Sequence, residues 1–184
     1  MLFLVLILLS STYLHAEMYA TGTYVPYFLK AQVNDDGEHK KFELNPYIGL
    51  STQIHVANKE YFVPELGYSY FLNTPEGMRR EVVFLHYNFA HVITNNWLFR
   101  YGLTTHWYRV VGLGGTKRLK NGDSYKTFKN PDKTETSYFT TLNFGSEYFI
   151  NNKKYSLRFD LNIMGFTEFA DKEQNYLLTF NFYR

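Results

Sequence analysis

The chain has no cysteine among its 184 residues, which excludes disulfide cross-links and thiolate metal sites. It also lacks long apolar runs. Nothing after Leu9 approaches the ~18 consecutive apolar residues that would mark a membrane-crossing helix. Neither sign of charge is in excess: 19 Lys and Arg stand against 17 Asp and Glu, a net +2. That balance leaves no electrostatic footprint for nucleic acid and none for an acidic substrate. Histidines are few. His39, His55 and His91 keep no metal-ligand spacing, so no metal is assigned. Gly112, Gly114, Gly115 and Lys117 lack the spacing of a phosphate loop, and no helix pattern follows, so no nucleotide cofactor is assigned either.

What the chain does have is aromatic side chains. They make up 20% of it, with 17 Tyr and 17 Phe. Trp97, Phe99, Tyr101, Leu103, Thr105 and Trp107 fall on one face of an extended strand. Leu98, Arg100, Gly102, Thr104 and His106 fall on the other, because successive strand side chains point to opposite faces. The run matches the roughly 9–11 tilted residues with which a strand crosses a bilayer. Trp97 and Trp107 sit at its two ends, as expected of indoles at the boundary between lipid and water.

Other segments repeat the pattern. Phe42, Leu44, Ile48, Leu50 and Ile54 alternate with Glu43, Asn45, Gly49, Ser51 and Gln53. Phe62, Leu66, Tyr68, Tyr70 and Leu72 alternate with Glu65, Gly67 and Ser69. Val83, Leu85, Tyr87 and Phe89 alternate with Phe84, His86, Asn88 and Ala90. Tyr138, Thr140, Leu142, Phe144 and Tyr148 alternate with Thr141, Asn143, Gly145 and Glu147. Tyr155, Leu157, Phe159, Leu161 and Ile163 alternate with Ser156, Arg158, Asp160, Asn162 and Met164. Tyr176, Leu178, Phe180 and Phe182 alternate with Thr179 and Asn181. With a first strand near Tyr19 to Leu29, the expectation is an all-β fold: a transmembrane, antiparallel, up-and-down β-barrel of about eight strands. The mean hydropathy of −0.32 does not oppose this, since half of each strand faces away from lipid.

Period-two alternation also fits a soluble up-and-down barrel with its apolar face inward. The polar face separates the two readings. It favours Gly, Ser, Thr and Asn over Lys and Glu, which suits a crowded lumen better than a water-exposed wall. Pro26, Pro46 and Pro64 fall within the strands and cannot donate to a ladder, so bulges or rim positions are expected there. Short connections near Ala57–Glu60, Thr94–Asn96 and Asn151–Lys154 alternate with longer ones near Gln32–Lys40, Asn73–Arg80, Gly112–Glu135 and Glu168–Gln174. Short turns belong to the periplasmic rim, and an even strand number then places both termini there. Asn95-Asn96 and Asn151-Asn152 suit tight hairpins, since Asn tolerates positive φ.

The apolar stretch Leu2–Leu9, followed by Ser10, Ser11, Thr12 and Leu14-His15-Ala16, reads as a signal peptide over residues 1–16, with the barrel domain at 17–184. The whole mature segment resembles the small outer-membrane β-barrel family, of which the outer-membrane protein A transmembrane domain is the familiar member. The C-terminal alternation of Tyr176, Leu178, Phe180 and Phe182 is similar to that family's sorting signal, although Arg184 stands where an aromatic residue usually ends the chain. The resemblance implies an outer-membrane location, lipid and lipopolysaccharide as surroundings, and passage through the barrel-assembly machinery.

Three functional readings stand at this point. Glu65, Arg100, Glu147, Arg158 and Asp160 are placed toward the periplasmic half of the lumen. Buried charges persist when paired and hydrogen-bonded. The lead reading is an ion-pair network that plugs the barrel of a structural or surface-interaction protein. The second is a gate in a narrow channel for ions or small solutes. The third is a lipid A-modifying enzyme, a chemistry found on small barrels, for which His86 and His106 are the lumen candidates. That chemistry needs a hydroxyl beside a base oriented by a third group. No His–Ser motif stands at a strand end, and Tyr108 follows His106 by two, so no catalytic residue is assigned and the chain is read as a non-enzyme. The connection from Gly112 to Glu135 sets Lys117, Arg118, Lys120, Lys126, Lys129 and Lys133 against Asp123, Asp132 and Glu135. Lys117, Arg118 and Lys120 are candidates for lipopolysaccharide phosphates; a solvated loop is the other reading.

Overall fold

The computed structural model describes residues 18–27, 43–72, 74, 78–122, 124–129, 132–150, 152–165 and 173–184. The signal peptide expected at 1–16, Glu17, the connection 32–40 with His39, and Phe42 lie outside the described residues. The elements are β1 (Met18–Tyr27), β2 (Asn45–Ser51), β3 (Ile54–Ala57), β4 (Glu60–Tyr70), β5 (Met78–Thr94), β6 (Trp97–Gly112), β7 (Thr116–Asn121), β8 (Ser124–Lys129), β9 (Thr134–Ile150), β10 (Tyr155–Met164) and β11 (Glu173–Tyr183).

The wall is a closed ring of eight antiparallel strand positions. β1 pairs with β2 on one side and β11 on the other, and β2 pairs with β4 to complete the circle. β2 and β3 are parts of one wall strand, because both meet β4 in the same register: Ser51 opposite Glu65, Ile54 opposite Phe62. The interruption at Thr52 and Gln53 faces Pro64. Thr52 N–H donates to the Pro64 carbonyl at 3.4 Å, but proline has no N–H to return. The ladder therefore loses a rung at a break rather than a bulge. Pro26 and Pro46 sit at the rim: β1 and β2 pair only as far as Tyr24 and Asn45, and β2 and β4 only as far as Tyr47 and Ser69. Following the register from Met18 through Ser51, Glu65, His86 and Thr104 to Thr141 moves steadily along the barrel. This stagger is the tilt that lets a sheet close.

The short turns differ from expectation in one detail. Positive φ occurs at Lys59, Asn152 and Lys153, and not at Asn95 or Asn96. There the register shifts between Val92 and Thr94 instead, and the Thr94 hydroxyl accepts from Asn96 N–H at 3.3 Å. The irregularity does the work that left-handed residues do elsewhere.

The faces separate as the alternation requires. Ile48, Leu50, Leu66, Leu103, Leu157 and Leu178 are exposed on the outside, whereas Arg100, Glu147 and Asp160 are fully buried inside. A water-soluble barrel has the opposite arrangement, and exposed apolar area on this scale favours hydrocarbon as its solvent. The barrel is of the transmembrane type.

The lumen is layered. At the end of the short turns, Val63, Ala90, Leu98 and Phe149 form an apolar floor, with Tyr61, Val92 and Tyr183 against it. At the end of the long connections, Tyr24, Phe71, Val82, Phe84, Tyr108 and Leu177 form an apolar roof backed by Phe139. Polar and charged side chains fill the space between.

Candidate functional site

Each of the five charged residues expected in the lumen is there and buried. Arg158 on β10 reaches across to Glu65 on β4, which stands on the opposite wall of the ring. The contact is bidentate, with Arg158 Nη2 donating to Glu65 Oε1 at 2.7 Å and Nη1 donating to Oε2. Register alone would have paired Arg158 with its neighbour Glu147. Glu147 instead accepts from Arg100 Nη1 at 3.0 Å. Arg100 also lies 3.7 Å from Glu65, which links the two pairs. Asp160 closes the set, with Oδ2 2.9 Å from Arg158 Nε and Oδ1 4.0 Å from Arg100 Nε.

Neutral groups complete the network. Tyr47 Oη donates to Glu65 Oε1 at 2.5 Å. Ser156 Oγ donates to Glu147 Oε1 at 2.5 Å, Asn181 Nδ2 donates to it at 3.0 Å, and the Tyr183 hydroxyl donates to the same oxygen. The carboxylates of Glu65 and Glu147 are well partnered, whereas both oxygens of Asp160, Nε of Arg158, and Nε and Nη2 of Arg100 are held by ion-pair proximity without a hydrogen bond among the described residues. Tyr47 and Tyr183 were not singled out from the sequence. Ser156 and Asn181 were only counted on the polar face, though they are cross-strand partners beside Arg158 and Glu147. Their inward phase was the available signal.

The lumen histidines have hydroxyl partners. His86 Nδ1 lies 2.8 Å from Thr104 Oγ1 and its Nε2 lies 3.3 Å from Tyr47 Oη. His106 Nε2 lies 3.1 Å from Thr141 Oγ1, and its ring stacks on Phe139 at 4.7 Å. Both rings are buried between the roof and the charged layer, and among the described residues their hydrogen-bond partners are the hydroxyls of Thr104, Tyr47 and Thr141.

Outside, Trp97 and Trp107 project from the two ends of the same stretch of β6, 43% and 56% exposed. Above the long-connection rim stands a feature the sequence did not reveal. Where a loop was expected at 112–135, β7 and β8 form a separate two-stranded hairpin. Its exposed residues carry no apolar alternation, because both faces are solvated and neither needs an apolar stripe. Arg118 is opposite Thr127, and Lys120 is opposite Tyr125. Arg118, Lys120, Tyr125, Thr127 and Lys129 therefore share one face. The Arg118 guanidinium lies 5.2 Å from the centre of the Tyr125 ring, within cation–π reach. Lys129 lies 3.8 Å from Asp132 in a solvated pair. Lys117 is opposite Phe128 in the register.

No protein-family model matches the chain, and no curated protein does. Among solved structures the chain is similar to Ail, the attachment invasion locus protein of Yersinia pestis, in complex with the heparin analogue sucrose octasulfate. The TM-score is 0.51 at 5% identity, covering 90% of this chain and 96% of that one. Neisserial surface protein A aligns with a TM-score of 0.48 at 11% identity, over 89% of this chain and 92% of the other. At such identities the likeness is one of architecture: this chain shares its fold with the small eight-stranded barrels.

Proposed function

We propose that the chain is an integral outer-membrane barrel with a plugged polar lumen, and that its work is surface interaction through the β7–β8 hairpin. Short turns face the periplasm, Trp97 and Trp107 mark the two lipid–water boundaries, and the barrel-assembly machinery inserts the chain. Support for the plug comes from the Arg158–Glu65 pair, which joins opposite walls between an apolar roof and floor. An eight-stranded interior is barely wide enough for side chains.

The observation that carries the surface role is the hairpin face with Arg118, Lys120 and Lys129. Such a face suits the phosphates of lipopolysaccharide, through charge and through the planar donors of arginine. Ail, of the same fold, was crystallised with a polysulfated heparin analogue, so an anionic glycan is a partner class compatible with this architecture. The test is binding of purified lipopolysaccharide to the full chain in nanodiscs, at low and high salt. R118E/K120E should weaken binding and flatten its salt dependence. Unchanged affinity would overturn the assignment to this face.

A further inference from the structure

The outer wall carries a groove of about 510 Å³ across β1, β2, β4 and β5. Its sides are Tyr19, Ile48, Leu50, Leu66, Tyr68 and Val83. Between them lie Gly49 and Gly67, buried residues that face the lumen and present backbone to the outside. The reason these two positions are bare is on the lumen side. The Tyr47 ring lies across both, and a Cβ on Gly67 would come within 2.6 Å of its carbons Cε2 and Cζ. Tyr47 is in turn held by Glu65. The packing that fixes the charge network thus leaves this part of the wall thin.

The groove has a marked outer end. Two residues above Val83 on the same face, Glu81 accepts from the Tyr68 hydroxyl at 3.0 Å and from Arg109 Nη1 at 2.7 Å. The Arg109 side chain is 55% exposed. Trp107, two residues before it, is the cross-strand partner of Val83. Moving outward, the wall presents apolar groove, indole, then guanidinium. This is the order of acyl chain, boundary and phosphate in an amphiphile. Leu66 and Tyr68 on β4 and Val83 on β5 lie in the long-connection halves of their strands, Leu50 is central in the β2–β3 wall strand, and Tyr19 is near the opposite end of β1, so the groove opens in the outer leaflet and runs toward mid-membrane.

We propose that the groove seats one acyl chain of lipid A, with a lipid A phosphate against Arg109. This rests on the reading of the chain as an outer-membrane barrel with its long connections outward. Close packing of one chain against Tyr19, Ile48, Leu50, Leu66, Tyr68 and Val83 gives the preference, because an acyl chain already in hydrocarbon gains van der Waals contact in a groove that fits it rather than release from water. The exposed Arg109 guanidinium keeps Nη1 on Glu81 and offers its other N–H groups to the anionic headgroup.

The test reconstitutes the full chain in phosphatidylcholine vesicles doped with lipid A and counts retained lipid by native mass spectrometry after mild detergent release. The wild type should keep one lipid A. L50W fills the groove and should lower retention about tenfold; L157W, outward on the opposite wall, should leave it unchanged. R109Q should shift retention from lipid A toward phosphatidylcholine. Equal retention by wild type and L50W overturns the groove, and phosphatidylcholine held as well as lipid A by the wild type overturns the choice of lipid. If the wild type does not insert into the vesicles at all, the membrane reading has failed rather than the groove.

Discussion

The lumen and the outer wall of this barrel obey the same rule in opposite solvents. Inside, Arg100, Arg158, Glu65, Glu147 and Asp160 are out of contact with water and depend on one another. Outside, Leu103, Leu157 and Leu178 are exposed and depend on there being no water to meet. Unmatched polarity is costly in both places, but the partners differ. In the lumen the partner is a specific group at hydrogen-bond distance; on the wall it is any hydrocarbon. The lumen should therefore be intolerant of substitution at single positions and forgiving of matched pairs. The wall should tolerate any apolar side chain and resist any charge.

The largest effect should follow from removing half of the pair across the lumen. R158M leaves Glu65 buried beside Tyr47 with only the more distant Arg100, and should destabilise the barrel by roughly 3–5 kcal/mol. R158M/E65Q removes both charges and should recover much of that loss. Urea unfolding in lipid vesicles checks both, and additive losses would break the claim that the two residues act as a unit. Planar-bilayer recording of the same variants sharpens the contrast. The wild type should show no steady openings; steady wild-type openings that vanish in R158M would mean a gate where a plug is proposed.

Next in size is a charge on the wall. L103R, near mid-membrane, should cost about 2–4 kcal/mol. L113R, beyond the end of β6 and also exposed, at 60% against 42% for Leu103, should cost little. Equal losses at the two positions would mean that hydrocarbon does not cover Leu103, and the comparison between wall and lumen would lose its basis.

How much of this could be read from sequence depends on which solvent each part faces. The wall was legible because lipid imposes a strict period of two, and Trp97 to Trp107 shows it in a single strand. The charged residues were legible as inward-facing by the same phase. Their partners were not, because Arg158 and Glu65 are 93 residues apart and meet only when the ring closes with its stagger. The roof and floor were hidden because Phe84, Leu98 and Leu177 are apolar on the polar phase, which a pattern reading counts as noise. The β7–β8 hairpin left no periodic trace, being wet on both faces. The interruption between β2 and β3 is written in Pro64, on the neighbouring strand, and so cannot be read from the segment that breaks.

The smallest effect tests the rule where it is weakest. Thr105 and Thr140 face outward on adjacent strands, their hydroxyl oxygens 3.2 Å apart. Facing hydrocarbon, each hydroxyl is the other's side-chain partner. T105V removes one and leaves Thr140 without it, which should cost about 1 kcal/mol. T105V/T140V removes both polar groups at nearly constant shape, and should be neutral or slightly stabilising. The same pair of changes on a water-exposed wall would show no such recovery, since water would serve either hydroxyl alone. A double variant no more stable than the single one would therefore place water, not lipid, against this part of β6.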